Sequence, residues 1–292
     1  MAPRFDTITF LSDYGSDDEF VGVVHSVIRS IAPHTTVVDL THEIPPYDVL
    51  AGSLALGRSA QYLCPGVVLA VVDPGVGTER RGVAIEVGGG QSYLVGPDNG
   101  LLASAVAMSG GATAAVALTN PLYQLTAPGP TFAGRDVFAP AAAHLCAGVP
   151  FSELGAEIDI DSLLPGLMPL PQASTEDGAL MAQVIWVDRF GNCQLNVDPE
   201  EIEHLGARVQ LRWGDDVRTA ERAFTYQGIA PGQIGLVIDS YGMLSVCMGK
   251  RSSADELRMP VGTEVALLAP GADEQPAAGA TQSVTLTPRR TQ

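Results

Sequence analysis

Val67-Val68-Leu69-Ala70-Val71-Val72-Asp73-Pro74-Gly75-Val76-Gly77-Thr78-Glu79-Arg80 carries the reading of the first half of the chain. Aliphatic residues without a polar break predict a strand covered on both faces, because a half-solvated strand would alternate. The run stops at a carboxylate, a Pro-Gly turn and an arginine. Ligands in open α/β sheets bind beyond the carboxyl ends of such strands, which puts Asp73 and Arg80 where chemistry is done. These residues alone leave a second reading open. Asp-Pro-Gly is also an ordinary turn, with the Asp accepting local amides and Arg80 lying in solvent beside Arg81.

On both sides of this stretch, strand and helix signals alternate. Apolar β-branched runs predict strands over 7–11, 36–40, 83–87 and 92–95, and helical spacing predicts helices over 19–31, 49–60 and 101–108. An N-terminal α/β domain with a mostly parallel, covered sheet is therefore expected over 1–164. Pro165, Pro169 and Pro171, followed by Ser174-Thr175-Glu176-Asp177-Gly178, read as a Pro-rich linker over 165–178. Beyond it short strands come at close spacing, over 180–187, 208–212, 234–238, 243–247 and 264–268. They predict an all-β C-terminal domain over 179–270, a small barrel or a sandwich. Residues 271–292 lack periodicity and read as a flexible tail.

Composition narrows the function. With 33 acids against 16 bases the net charge is −17, which repels a phosphate backbone and argues against nucleic acid as a partner. A small cation suits that field, although surface acidity also serves solubility alone. No apolar run reaches the ~18 residues that span a membrane, and 8–11 is too short for a signal h-region, so a cytoplasmic protein is expected. Cys64, Cys146, Cys193 and Cys247 lack metal-ligand spacing and read as reduced core thiols. The five histidines form no H-x-x-x-H pair, each reads as structural, and no metal site is expected.

Five motifs, in order, support a family reading: Phe10-Leu11-Ser12-Asp13-Tyr14-Gly15, Asp73 to Arg80, Gly96-Pro97-Asp98-Asn99-Gly100, Thr131-Phe132-Ala133-Gly134-Arg135-Asp136 and Asp188-Arg189-Phe190-Gly191-Asn192. Together they resemble the SAM hydroxide adenosyltransferases, the adenosine-forming SAM hydrolases related to the fluorinase and chlorinase. The resemblance runs over residues 7–268. It implies an N-terminal α/β domain joined to a C-terminal β-barrel, a homotrimer with sites between subunits, and adenosine and L-methionine as products. S-adenosyl-L-methionine (SAM) is then the substrate, and no cofactor is implied.

That chemistry makes one demand. A sulfonium leaves as a neutral thioether and needs no acid, but water at neutral pH contains little hydroxide, so the nucleophile has to be activated. By the resemblance Asp73 takes or orients the water proton and Arg80 stabilises developing hydroxide. Asp13 matches the carboxylate that grips the ribose diol, the alternative being an Asx turn or an N-cap for the helix near Glu19. Tyr47 corresponds to a pocket aromatic and would otherwise only pack. Asp188 matches an ammonium contact, Asn192 an adenine partner, Phe190 and Tyr226 the aromatic faces around the base, and Ser240 a contact to the methionine carboxylate. Tyr241 stands where the halogenases carry Arg.

The halogenases replace the Asp-Pro-Gly-Val-Gly stretch with a Tyr-Pro sequence, since a fixed carboxylate repels a halide, and the fluorinase has a long insertion that the 87–92 loop lacks. Asp73 therefore disfavours halogenation. One departure counts against full hydrolase activity: the family pattern is Thr-Phe-His-Gly-Arg-Asp, and Ala133 stands at the histidine. His144 lies in an Ala-rich stretch and reads as buried structure, not a replacement. Alternatives are a chlorinase-like halogenase and a SAM or adenosine sensor that binds without turnover.

Overall fold

The structure, a computed structural model, describes residues 4–270. The expected tail over 271–292 lies outside them. Two compact units divide between Met168 and Pro169.

The first unit is built on a six-stranded sheet. Strands β1 (Thr7–Ser12), β2 (Thr36–Thr41), β3 (Val67–Val71), β4 (Gly82–Val87), β5 (Ser92–Pro97) and β6 (Ala112–Ala117) lie in the order β2-β1-β3-β5-β4-β6. β2, β1, β3 and β5 run parallel, and β4 runs against both of its neighbours. Every residue of β3 is buried, as its unbroken apolar run requires. Helices α1 (Phe20–Ile31) and α4 (Ala139–Cys146) cover one face, with Val24, Ile28 and Leu145 packed on Ile8, Phe10 and Leu69. Helices α2 (Val49–Ser59) and α3 (Ala103–Met108) pack on each other. Asp48 caps α2 by accepting from Ala51 N at 2.9 Å.

β6 is absent from the sequence reading because its Ala-Thr-Ala-Ala-Val-Ala run has little strand propensity, and it forms by pairing with β4. Cys64 departs from expectation. It is exposed in the loop leading into β3, whereas Cys146, Cys193 and Cys247 are buried and burial pushes their thiols up, to about 11, 11 and 12.

The second unit contains β7 (Gln172–Ala173), β8 (Leu180–Val187), β9 (Cys193–Leu195), β10 (Arg208–Trp213), β11 (Asp216–Arg222), β12 (Ile234–Ile238), β13 (Leu244–Met248), a short helix α5 (Ser253–Leu257) and β14 (Glu264–Leu268). The pairing of β14 with β8 closes seven of these strands into a barrel, with β7 attached to β8, so the barrel alternative holds and the sandwich does not. Val209, Leu211 and Trp213 alternate inward along β10 to meet Val184, Leu195, Val246 and Val265 in the core. Among the described residues no helix is long and apolar enough to cross a membrane.

Candidate functional site

Parallel pairing builds the first half of the site. β1 and β3 pair with Ser12 opposite Val71, so the two strands end together and deliver Asp13 and Asp73 side by side at the carboxyl edge of the sheet. β2 ends beside them. His42, just past β2, accepts from or donates to Ser12 Oγ through Nδ1 at 2.7 Å, and its Nε2 meets Asp39 Oδ1 at 2.9 Å. His25 Nε2 reaches the same oxygen at 2.8 Å. This chain of side chains buttresses the loop after β1, where Gly15 N donates to His42 O at 2.8 Å. Burial raises the Asp39 carboxyl, but the hydrogen bonds from His42 and His25 outweigh it and hold the group below its ordinary value.

Around the turn after β3 the chain folds back on itself. Val76 N donates to Asp73 O, Thr78 Oγ1 donates to Gly75 O at 2.7 Å, and Gly77 takes a left-handed φ of 79°. Asn99 Nδ2 donates to Val72 O at 2.9 Å and ties the turn to the loop after β5. The result brings Arg80 Nη2 to 2.6 Å from Asp73 Oδ2, with the side chains only 13% and 6% exposed. Arg80 is thus no solvated neighbour of Arg81. Arg81 turns away to Asp98 and Ser162, while the Arg80 guanidinium lies 5.3 Å from the centre of the Phe138 ring. Asp73 Oδ1 and Arg80 Nε are buried without a hydrogen-bond partner among the described residues.

Burial dominates the electrostatics of Asp73. It pushes the carboxyl above its ordinary value, Arg80 pulls it back, and the nearby Asp13 charge raises it again. The Gly75 amide also opposes the rise. A carboxylate tuned upward in this way is a better proton acceptor near neutral pH than a solvated one.

Asp13, Tyr47, Asp73 and Ala133 line one cleft of about 370 Å³, together with Tyr14 and Phe132. Asp13 does not cap α1, whose N-cap is Glu19 without a side-chain bond. Its Oδ2 instead accepts from Tyr47 N at 2.9 Å. Tyr47 has a left-handed φ of 69° and is 75% exposed, so it is not packed in the core. Ala133 precedes a π-helical turn, Gly134–Phe138, that leads straight into α4. His144, on α4, faces Tyr123 with ring centres 4.9 Å apart, and burial lowers its pKa. It does not line the cleft.

The second unit carries its own cleft of about 1120 Å³, lined by Asp188, Phe190, Asn192, Tyr226 and Ser240. Phe190 and Tyr226 are exposed aromatics, at 79% and 46%. Asp188 closes the turn between β8 and β9: Oδ1 accepts from Phe190 N and Asn192 N, and Oδ2 accepts from Asn192 Nδ2 at 2.8 Å. Asp188 and Asn192 are therefore already coupled, with Asn192 buried.

The sequence reading missed Tyr14, Phe224 and Asp239. Phe224 is 99% exposed at the rim of the second cleft, and an aromatic flanked by Ala and Thr gives no periodic signal. Asp239 accepts from Tyr241 N and Ser245 Oγ and sets the turn that presents Ser240. Its position at the end of an apolar strand, like that of Asp73, is the signal that would have found it.

The fold and the site thus define a two-unit protein with a buried carboxylate–guanidinium pair at a sheet edge and an aromatic-rimmed cleft on a closed barrel. Family models confirm the class. The SAM hydroxide adenosyltransferase N-terminal domain matches residues 8–155 and the corresponding C-terminal domain matches residues 182–266. The chain belongs to the SAM hydroxide adenosyltransferase family. It is 39% identical to an (R)-S-adenosyl-L-methionine hydrolase of Salinispora tropica, over 92% of this chain and 100% of that one. A fluorinase of an Actinoplanes species is 30% identical over 88% of this chain and 96% of its own. Among solved structures, an uncharacterized conserved protein from Thermotoga maritima superimposes with a TM-score of 0.81 at 30% identity, covering 89% of this chain and 99% of that one.

Proposed function

We propose that this protein hydrolyses S-adenosyl-L-methionine to adenosine and L-methionine. The observation that carries the reading is the buried Asp73–Arg80 pair at the carboxyl edge of β3. A water held at Asp73 gives up a proton to the carboxylate as its oxygen attacks the ribose 5′ carbon. The new C–O bond forms while the C–S bond breaks, and its electron pair stays on sulfur as a neutral thioether. Arg80 stabilises the negative charge that grows on the oxygen as the proton leaves. No cofactor is called on.

Asp13 grips the ribose diol in this reading, with Tyr47 beside the sugar. Phe190 and Tyr226 flank the purine, Asn192 bonds its edge, Asp188 takes the methionine ammonium and Ser240 its carboxylate. A fixed Asp73 carboxylate repels a halide at the point where the nucleophile must sit, which favours water over chloride or fluoride. Ala133 favours a second reading, a SAM or adenosine sensor without turnover. Chromatography of SAM incubated with the protein, with and without chloride, decides among them. Adenosine in both mixtures supports hydrolysis. A chlorinated nucleoside supports halogenation, and unchanged SAM with measurable binding supports the sensor.

Asp13→Ala is expected to weaken SAM binding ~10-fold or more, because a charge-assisted contact to the diol is made before the transition state as well as in it. Titration calorimetry reads this directly, and an unchanged affinity removes Asp13 from the ribose site.

We further propose a cytoplasmic homotrimer whose sites combine first-unit residues of one subunit with second-unit residues of a neighbour. The division of labour supports it, with water activation assigned to one unit and purine and ammonium contacts to the other. Inactive Asp73→Asn and Asp188→Ala chains, mixed and refolded together, then regain activity at sites that combine an intact half from each. Mixed oligomers that stay inactive while each parent refolds would show that the site belongs to one chain.

A further inference from the structure

Position 133, where the resembling motif has a histidine beside the nucleophile, carries in this chain a methyl group that cannot hold a proton. Another polar group reaches the same wall of the cleft. The hydroxyl of Tyr14 rests against the backbone at the start of the π-helical turn, so closely that a Cβ on Gly134 would lie 2.1 Å from the phenol oxygen and 3.1 Å from Cζ. Only glycine fits there. Tyr14 and Gly134 line the same cleft as Asp13, Asp73 and Ala133.

The ring is held on several sides. Its centre lies 6.4 Å from that of Phe10, 5.5 Å from Phe20 and 5.6 Å from Phe132, with the Phe10 and Phe132 contacts edge-on. Such packing leaves the hydroxyl little freedom, as a group that must orient a reactant requires. The backbone amide of Tyr14 donates to Ser12 Oγ at 3.3 Å, but the hydroxyl makes no hydrogen bond to the described residues. Asp73, whose Oδ1 lacks a hydrogen-bond partner among the described residues, lines the same cleft.

We infer that Tyr14 is a further catalytic residue, whose hydroxyl holds the attacking water opposite Asp73 and does in this chain what the side chain at position 133 does in the resembling motif. The inference rests on the hydrolase reading. Burial, followed by the charges of Asp13, Asp73 and Asp136, pushes the phenol well above its ordinary pKa, so the group stays protonated and acts as a donor. The O–H donates to one lone pair of the water, and the other is left for the 5′ carbon. One water proton passes to Asp73, the C–O bond forms and the C–S electron pair leaves with sulfur. The Tyr14 proton does not transfer. It stabilises the oxygen during the interval in which that oxygen carries most charge.

Tyr14→Phe tests this while leaving the ring and its packing in place. The expected result is a fall in kcat of about 10²-fold with SAM affinity by calorimetry unchanged. The acid limb of the pH profile stays where it was, since Asp73 still sets it. In the Tyr14→Phe background, Ala133→His is expected to recover kcat ~10-fold or more, and to gain a smaller factor in the parent protein, where the task is already filled. A Tyr14→Phe protein with parental kcat overturns the inference. So does one that loses SAM affinity in step with kcat, and so do equal gains from Ala133→His in both backgrounds. A parent protein that releases no adenosine overturns the hydrolase reading and this inference with it, whereas an active parent matched by Tyr14→Phe overturns this inference alone.

Discussion

Asp73→Asn is expected to bind SAM with parental affinity and to hydrolyse it at least ~10²-fold more slowly. The amide keeps the shape of the carboxylate and one acceptor oxygen toward Arg80, but it cannot take a proton from water. The loss should therefore fall on kcat and leave KM nearly unmoved. The parent enzyme carries a second mark of the same group. Asp73 works as a base only when ionised, and burial raises its pKa above the ordinary carboxylate value. Activity should thus fall as pH drops through that raised value, at a higher pH than a solvated Asp would give. The Asn variant should lack this limb. Equal rates for Asp73→Asn and the parent would reduce Asp73 to a turn residue, the second reading that its sequence leaves open.

Arg80→Met is the other large expected effect, and it acts on stability as well as rate. The Asp73 side chain is 6% exposed, and its one ion-pair partner among the described residues is Arg80. Removing the guanidinium leaves a buried carboxylate without its countercharge, which costs about 3–5 kcal/mol when the group is ionised. The sign with pH follows. Without Arg80 the folded-state pKa of Asp73 rises further above the unfolded value, so the variant loses stability as pH climbs toward that raised pKa. At low pH, where the carboxyl is protonated in both states, the penalty shrinks. Denaturant unfolding at pH 5 and pH 8 should show a larger deficit at pH 8, and the acid limb of any residual activity should move to higher pH. A deficit equal at both values would mean that lost packing on Phe138, not the lost charge, is what the substitution removes.

The sequence exposes the α/β half well for a physical reason. Buried parallel strands are uninterrupted apolar runs, and Val67 to Val72 can be little else. β6 and β11 are harder to see. The first is Ala-rich, and the second, Asp-Val-Arg-Thr-Ala-Glu-Arg, buries only Ala220. Each owes its extended form to neighbours already in place. Barrel closure depends on Leu180–Gln183 pairing with Glu264–Leu267, a contact between distant parts of the chain that no local window contains. The site follows the same division. Asp13 and Asp73 are legible because each ends an apolar strand. Tyr14 is not, because its place in the cleft is set by Phe20 and Phe132, which reach it from α1 and from the segment before α4.

The register of β1 against β3 has a further meaning. Neighbouring strands lie about 4.8 Å apart, a spacing fixed by backbone hydrogen bonds and indifferent to side-chain identity. Asp13 and Asp73 leave adjacent strands within one residue of level, so the separation between the group assigned to the sugar and the group assigned to the water is graduated by the sheet itself. The sheet works as a ruler. Substitutions in the surrounding loops can change how tightly a nucleoside is held or how fast it leaves, yet the distance between grip and base stays constant until the strands themselves slip. A slip by one residue would turn Asp13 to the opposite face. Changes of nucleophile or leaving group are therefore open to this scaffold through its loops, whereas a change in the spacing between sugar diol and reacting carbon is not.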